Sequence, residues 1–148
     1  MKHIALASSL VLTLSTAAFA QGQPGGHFIE NWDLSGDGVV SIEDLTERRS
    51  DIFSTFDANE DGFIDAAEYK DFDAARAADM AENAGGGEGH GKGGMNKIQE
   101  ALTLEFNYAD SDGKVSRQEF LDATLMMLEM ADRNADGVIS KDDFGPKK

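Results

Sequence analysis

The chain contains no cysteine, only two prolines and three histidines, and few basic residues: 13 Lys and Arg against 28 Asp and Glu, for a net charge of -15. Without cysteine there is no disulfide framework, no thiol nucleophile and no lipid attachment through a cysteine near the start. The shortage of positive charge disfavours nucleic acid and anionic lipid headgroups as partners, and favours cations or basic partners. Histidine is equally uninformative for catalysis. His27 stands near the N-terminus, His90 sits among glycines and reads as a linker residue, and no serine lies in a nucleophile-elbow pattern. An enzyme is therefore not expected.

Apolar runs of membrane-spanning length are missing as well. Ile4 to Leu14 is mostly apolar but short and rich in Ser, Thr and Ala; it follows Lys2 and precedes Ala18-Phe19-Ala20, a small-x-small cleavage pattern. Residues 1–20 are read as a signal peptide and the mature chain as starting at Gln21, which makes the product exported, periplasmic or secreted, with no membrane segment left after cleavage. Loss of Lys2 takes the net charge from -15 to -16.

The acidic residues are grouped. Residues 33–44 read DLSGDGVVSIED, 57–68 DANEDGFIDAAE, 108–119 YADSDGKVSRQE and 132–143 DRNADGVISKDD. Asp-Gly recurs at the fifth and sixth places of all four loops. The eighth is always β-branched (Val40, Ile64, Val115, Ile139), and the twelfth is always acidic (Asp44, Glu68, Glu119, Asp143). A hairpin signal alone would explain only the Asp-Gly.

The spacing suits a hard cation. Ca²⁺ takes about six to eight oxygens, short side chains at the first, third and fifth places can converge on it, and Gly at the sixth permits the sharp turn. In loop 1 these are Asp33, Ser35 and Asp37; in loop 2, Asp57, Asn59 and Asp61; in loop 4, Asp132, Asn134 and Asp136. The seventh place offers its carbonyl whatever its side chain, hence Val39, Phe63, Lys114 and Val138. Asp65 stands at the ninth place of loop 2, and the twelfth-place acid closes the sphere. The ninth and twelfth places also read as capping-box pairs for an exiting helix, so metal site and helix start share side chains.

On these residues the chain resembles the EF-hand calcium-binding family over most of its mature length, with Asp57, Asn59, Asp61, Gly62, Asp65 and Glu68 matching the motif in full. The resemblance implies an all-α fold of helix-loop-helix repeats, four loops in two halves with short β-bridges between paired loops, and Ca²⁺ as the ligand. Residues 21–84 would carry EF-hands 1 and 2, residues 85–95 a glycine-rich linker, and residues 96–148 EF-hands 3 and 4. Asp44 and Asp143, shorter than Glu, point to weaker Ca²⁺ binding or tolerance of Mg²⁺ in loops 1 and 4, and to loop 2 as the tightest site.

Loop 3 departs from the pattern, with Tyr108 at its first place. Three arrangements are open: a thirteen-residue loop with Asn107 as first ligand beside Asp110, Asp112 and Glu119, a twelve-residue loop completed by water or a carbonyl, or an empty structural loop. Within each half only twelve residues separate the loops, similar to the compact repeats of many bacterial EF-hand proteins, and neither connector holds Gly or Pro. Each is predicted to be one helix of about 18 Å. Val40 then cannot easily reach Ile64, and loops of one half should pair with loops of the other. Further helices are predicted over 66–83 and from Asn96 to Phe106, with Gly145 and Pro146 stopping the chain after loop 4. Apolar residues flanking the loops, Trp32, Phe56 and Phe106 before and Leu45, Tyr69, Phe120 and Phe144 after, are read as one core.

The role expected is a monomeric calcium buffer or a calcium-stabilised structural or binding module. Alternatives are a sensor that shows a surface including Met126, Met127 and Met130 to an unidentified protein partner, or a dockerin-like assembly module. Against the last, helices are expected to enter the loops.

Overall fold

The computed structural model describes residues 24–83 and 94–144. The signal-peptide reading, His90, most of the glycine-rich linker and the Gly145-Pro146 stop lie outside the described residues.

Helices begin where the loops end, because each loop's last residues cap the helix that follows. Ser41 accepts from the Asp44 N–H and returns its own N–H to the Asp44 carboxylate, opening α2 (Ile42–Phe56). The same reciprocal pair opens α3 (Ala66–Asn83) through Asp65 and Glu68 and α6 (Arg117–Asp122) through Ser116 and Glu119. Ser140 and Asp143 open only a 3-10 turn, Lys141–Asp143. A short α1 (Gly26–Trp32) leads into loop 1, and α3 covers the predicted span.

Two predicted helices are each broken in two. Instead of one helix from Asn96 to Phe106 there are α4 (Gly94–Ala101) and α5 (Leu104–Asn107), with Thr103 capping the second by accepting from the Phe106 N–H. The connector after loop 3 is α6 followed by α7 (Thr124–Ala131), interrupted at Ala123, whereas the connector after loop 1 is the single predicted helix, α2. Both breaks have one cause. A helix loses its ladder where a side chain takes the carbonyls, and the buried guanidinium of Arg49 takes the carbonyls of Ala101 and Phe120. The Thr124 hydroxyl also bonds the Leu121 carbonyl at 2.6 Å, a local competitor for the helix.

The loops pair across the two halves, as the short connectors predict. β1 (Phe63–Asp65) of loop 2 runs antiparallel to β2 (Lys114–Ser116) of loop 3, with Ile64 opposite Val115. Val40 of loop 1 bridges Ile139 of loop 4 through N–H to carbonyl bonds of 2.8 and 2.9 Å. The four eighth-place side chains are each 0% exposed, so the β-branched residues that mark the repeat are the centre of the core. Burying each stabilises the fold by about 2 kcal/mol. Leu45, Tyr69, Phe120 and Phe144 lie in that same core, with Trp32, Phe56 and Phe106 packed against it. Residues of both halves therefore share one hydrophobic cluster.

Candidate metal centre

The four loops share a backbone. Their fourth places, Gly36, Glu60, Ser111 and Ala135, and sixth places, Gly38, Gly62, Gly113 and Gly137, all have positive φ. Glycine takes that conformation freely at the sixth place; at the fourth, three residues with side chains take it at a cost of about 1 kcal/mol each.

In loops 1, 2 and 4 the first-place carboxylate gathers the turn. Asp33 accepts from the N–H groups of Gly36 at 2.7 Å and Gly38 at 2.8 Å. Asp57 accepts from Asp61 and Gly62, both at 3.0 Å, and Asp132 accepts from Ala135 at 2.7 Å and Gly137 at 2.8 Å. At the fifth place Asp37, Asp61, Asp112 and Asp136 each accept from the N–H two residues on. The third-place oxygens of Asn59, Asp110 and Asn134 do the same, while Ser35 turns its hydroxyl toward Asp33.

The twelfth-place acid ties the two ends of each loop. Asp44 accepts from the Leu34 and Ser35 N–H groups at 3.1 and 3.0 Å, Glu68 from Ala58 at 3.0 Å, Glu119 from Ala109 at 3.3 Å and Asp143 from Arg133 at 2.7 Å. Such donors hold carboxylates ionised. The Gly38 N–H holds Asp33 below the usual carboxylate range, and the Glu68 N–H does so for Asp65. Burial pushes Asp44 up, but the Ser41 hydroxyl and N–H together with the Ser35 and Leu34 N–H groups outweigh it. The Ser116 N–H and hydroxyl lower Glu119.

A carboxylate has about four lone-pair sites, and oxygens that accept a single N–H bond, such as Asp37 Oδ1, Asp61 Oδ1 and Glu68 Oε2, keep capacity for a cation. Among the described residues no group of three or more acidic or histidine side chains by itself forms a metal cage. The loops offer a mixed set instead, with side-chain oxygens at the first, third, fifth and twelfth places and the carbonyls of Val39, Phe63 and Val138. Oxygen-only donors of this kind fit a hard divalent ion.

A family model described as EF hand matches residues 50–73 and 127–145. These two segments are similar to EF hands. No curated protein and no solved structure matches the chain. The matched segments hold loops 2 and 4, one loop from each EF-hand pair.

Loop 3 corrects the sequence reading at Asn107. Its side chain, 2% exposed, faces the core rather than the loop, and its Oδ1 accepts from the Arg49 guanidinium. Its Nδ2 donates to the Tyr69 hydroxyl at 3.1 Å and to the Thr103 carbonyl at 2.7 Å. Asn107 is thus a core residue, and Glu119, bonded to the Ala109 and Ser116 N–H groups, holds a twelve-residue frame in which Tyr108 is the first place.

The polar cluster around Asn107 is what sequence reasoning missed. Arg49 is fully buried, lies 4.0 Å from the Phe120 ring centre and is pushed down to about 10 by burial. Tyr69 donates to the carbonyls of Leu102 and Thr103, and burial raises its phenol well above the ordinary range. A signal for Arg49 was present in the sequence, since Leu45, Arg49 and Phe53 follow one another at the four-residue spacing of a helix's buried face.

Proposed function

We propose that the protein is an exported calcium-binding protein in which bound ions hold a closed fold together, so that it acts as a calcium-stabilised structural module or a buffer. The observation that carries this reading is the crossing of the loops. Each pair takes one loop from either side of the linker, so an ion bound at any loop strengthens a contact between distant parts of the chain. Much of the folding free energy is then linked to the metal. Loops 1, 2 and 4 supply the ligands, with Glu68 in the longest-reaching twelfth place and Mg²⁺ tolerated where Asp44 and Asp143 close the shell.

Met127 is 0% exposed and packs in the core, which favours this reading over the sensor alternative. A specific observation keeps the sensor as the second reading: Leu125 and Met126 are 56% and 55% exposed side by side on α7. We assign the chain no catalytic role.

Titration calorimetry of the chain from Gln21 with Ca²⁺ and Mg²⁺, alongside circular dichroism and an apolar dye, tests the proposal. The expected result is calcium uptake that raises the melting temperature with no gain in dye fluorescence, and loss of the tightest step in Glu68→Gln. Dye binding that rises with calcium would establish the sensor reading in its place.

A further inference from the structure

Loop 3 has the frame of its sisters without their first ligand. Its Tyr108 phenol oxygen lies 3.8 Å from where a β-carbon on Gly113 would stand, reaching across the turn that a carboxylate gathers in the other three loops. The neighbouring Asn107, which could have supplied an oxygen, is committed to Arg49 and Tyr69. Both ends of this loop are instead anchored to one buried side chain: Arg49 bonds Asn107 just before the loop and the Phe120 carbonyl just after it. An ion in the other loops would do the same work of joining entering and exiting helices. Here the join is made by protein alone.

Loop 3 also carries the one cation among the seventh-place side chains. Lys114 is the ladder partner of Asp65, the ninth place of loop 2, and its ammonium sits 4.9 Å from the Phe63 ring centre. Its positive charge therefore stands beside loop 2 rather than over its own acids.

We propose that loop 3 takes no ion and is a permanent brace for loop 2, which it shapes through the β1–β2 ladder and supplies with the Lys114 charge as a built-in counter-cation. The inference rests on the calcium reading above. It makes the expected count three ions per chain, and it makes loop 2 partly organised before any ion arrives.

The test is calorimetric titration of the chain from Gln21 with calcium alone. In a double variant, Asp110→Asn with Asp112→Asn, the amide oxygens can still accept the N–H bonds at 3.1 and 2.8 Å that shape the loop, while two carboxylates are lost. The variant is expected to bind as many ions as the wild type. One ion fewer in the variant, or four in the wild type, overturns the brace. No uptake by either protein overturns the calcium reading beneath it. For the counter-cation, Lys114→Met is expected to tighten the step that Glu68→Gln removes by about threefold, the size of an exposed charge interaction; an unchanged or weakened step overturns that part.

Discussion

The two loop pairs are built differently. Loops 1 and 4 meet through a single bridge, both begin with aspartate, and both end in an aspartate that is almost wholly enclosed, Asp44 at 5% and Asp143 at 0% exposure. Loops 2 and 3 meet along a three-residue ladder and end in glutamates that stay partly open, and only loop 2 begins with an acid. Beneath the second pair lies the cluster of Arg49, Asn107 and Tyr69. The first pair has an acid at both ends of both loops, and hydrogen bonds within each loop tie those ends together. In the second the labour is divided, one loop suited to the ion and its partner fastened to the core. On the reading proposed above, the first pair would be stabilised by filling both loops and the second by buried hydrogen bonds in place of one ion.

Removing the Arg49 guanidinium should separate the pairs most sharply. Arg49→Met leaves the carbonyls of Ala101 and Phe120 and the Asn107 oxygen without their donor, at a cost of about 3 kcal/mol or more. Urea denaturation in chelator should show that loss, and amide hydrogen exchange should quicken more in the β1–β2 ladder than at Val40 and Ile139. Equal quickening would mean that the cluster supports both pairs alike.

Acid should act in the opposite sense on the comparison. Asp33, Asp44, Asp65 and Glu119 all have lowered folded pKa values, so their stabilisation is present above the ordinary carboxylate range and is lost as pH falls through those lowered values. Two of the four lie in each pair, but only the second pair has beneath it a cluster of Arg49, Asn107 and Tyr69 that contains no carboxylate. In calcium-free solution the Val40–Ile139 bridge should therefore fail at a higher pH than the ladder, as followed by amide signals in NMR.

The smallest expected effect lies inside the first pair. Ala135 occupies with φ 61° the fourth place that Gly36 fills in loop 1. Ala135→Gly should relieve strain and raise stability by about 0.5 kcal/mol, less than the full strain because glycine also frees the unfolded chain. Differential scanning calorimetry would read the shift, and a fall in melting temperature would show that the strained place costs loop 4 nothing.

Much of this molecule was legible from spacing. The eighth-place residues, the capping pairs and the 66–83 helix depend on nearest neighbours in sequence, and they fold as their local chemistry dictates. The cross-pairing followed from a length argument, since a twelve-residue helix holds Val40 away from Ile64. What escaped was long-range. Asn107 is 58 positions from Arg49, and nothing near either residue announces the hydrogen bond that joins them. The same bond network explains why two helices predicted as continuous are broken, because their freed carbonyls are satisfied from across the core. Loop 3 was misjudged at Asn107 for that reason: by local pattern it is a spare ligand, and by tertiary context it is part of the interior.

The helix α2 leaves loop 1 and enters loop 2, yet the partners of those loops both lie beyond the glycine-rich stretch. Neither half of the chain can therefore close a pair alone, and the two halves are interlaced like the parts of a clasp. A cut within that stretch would leave two peptides that fold only in each other's company.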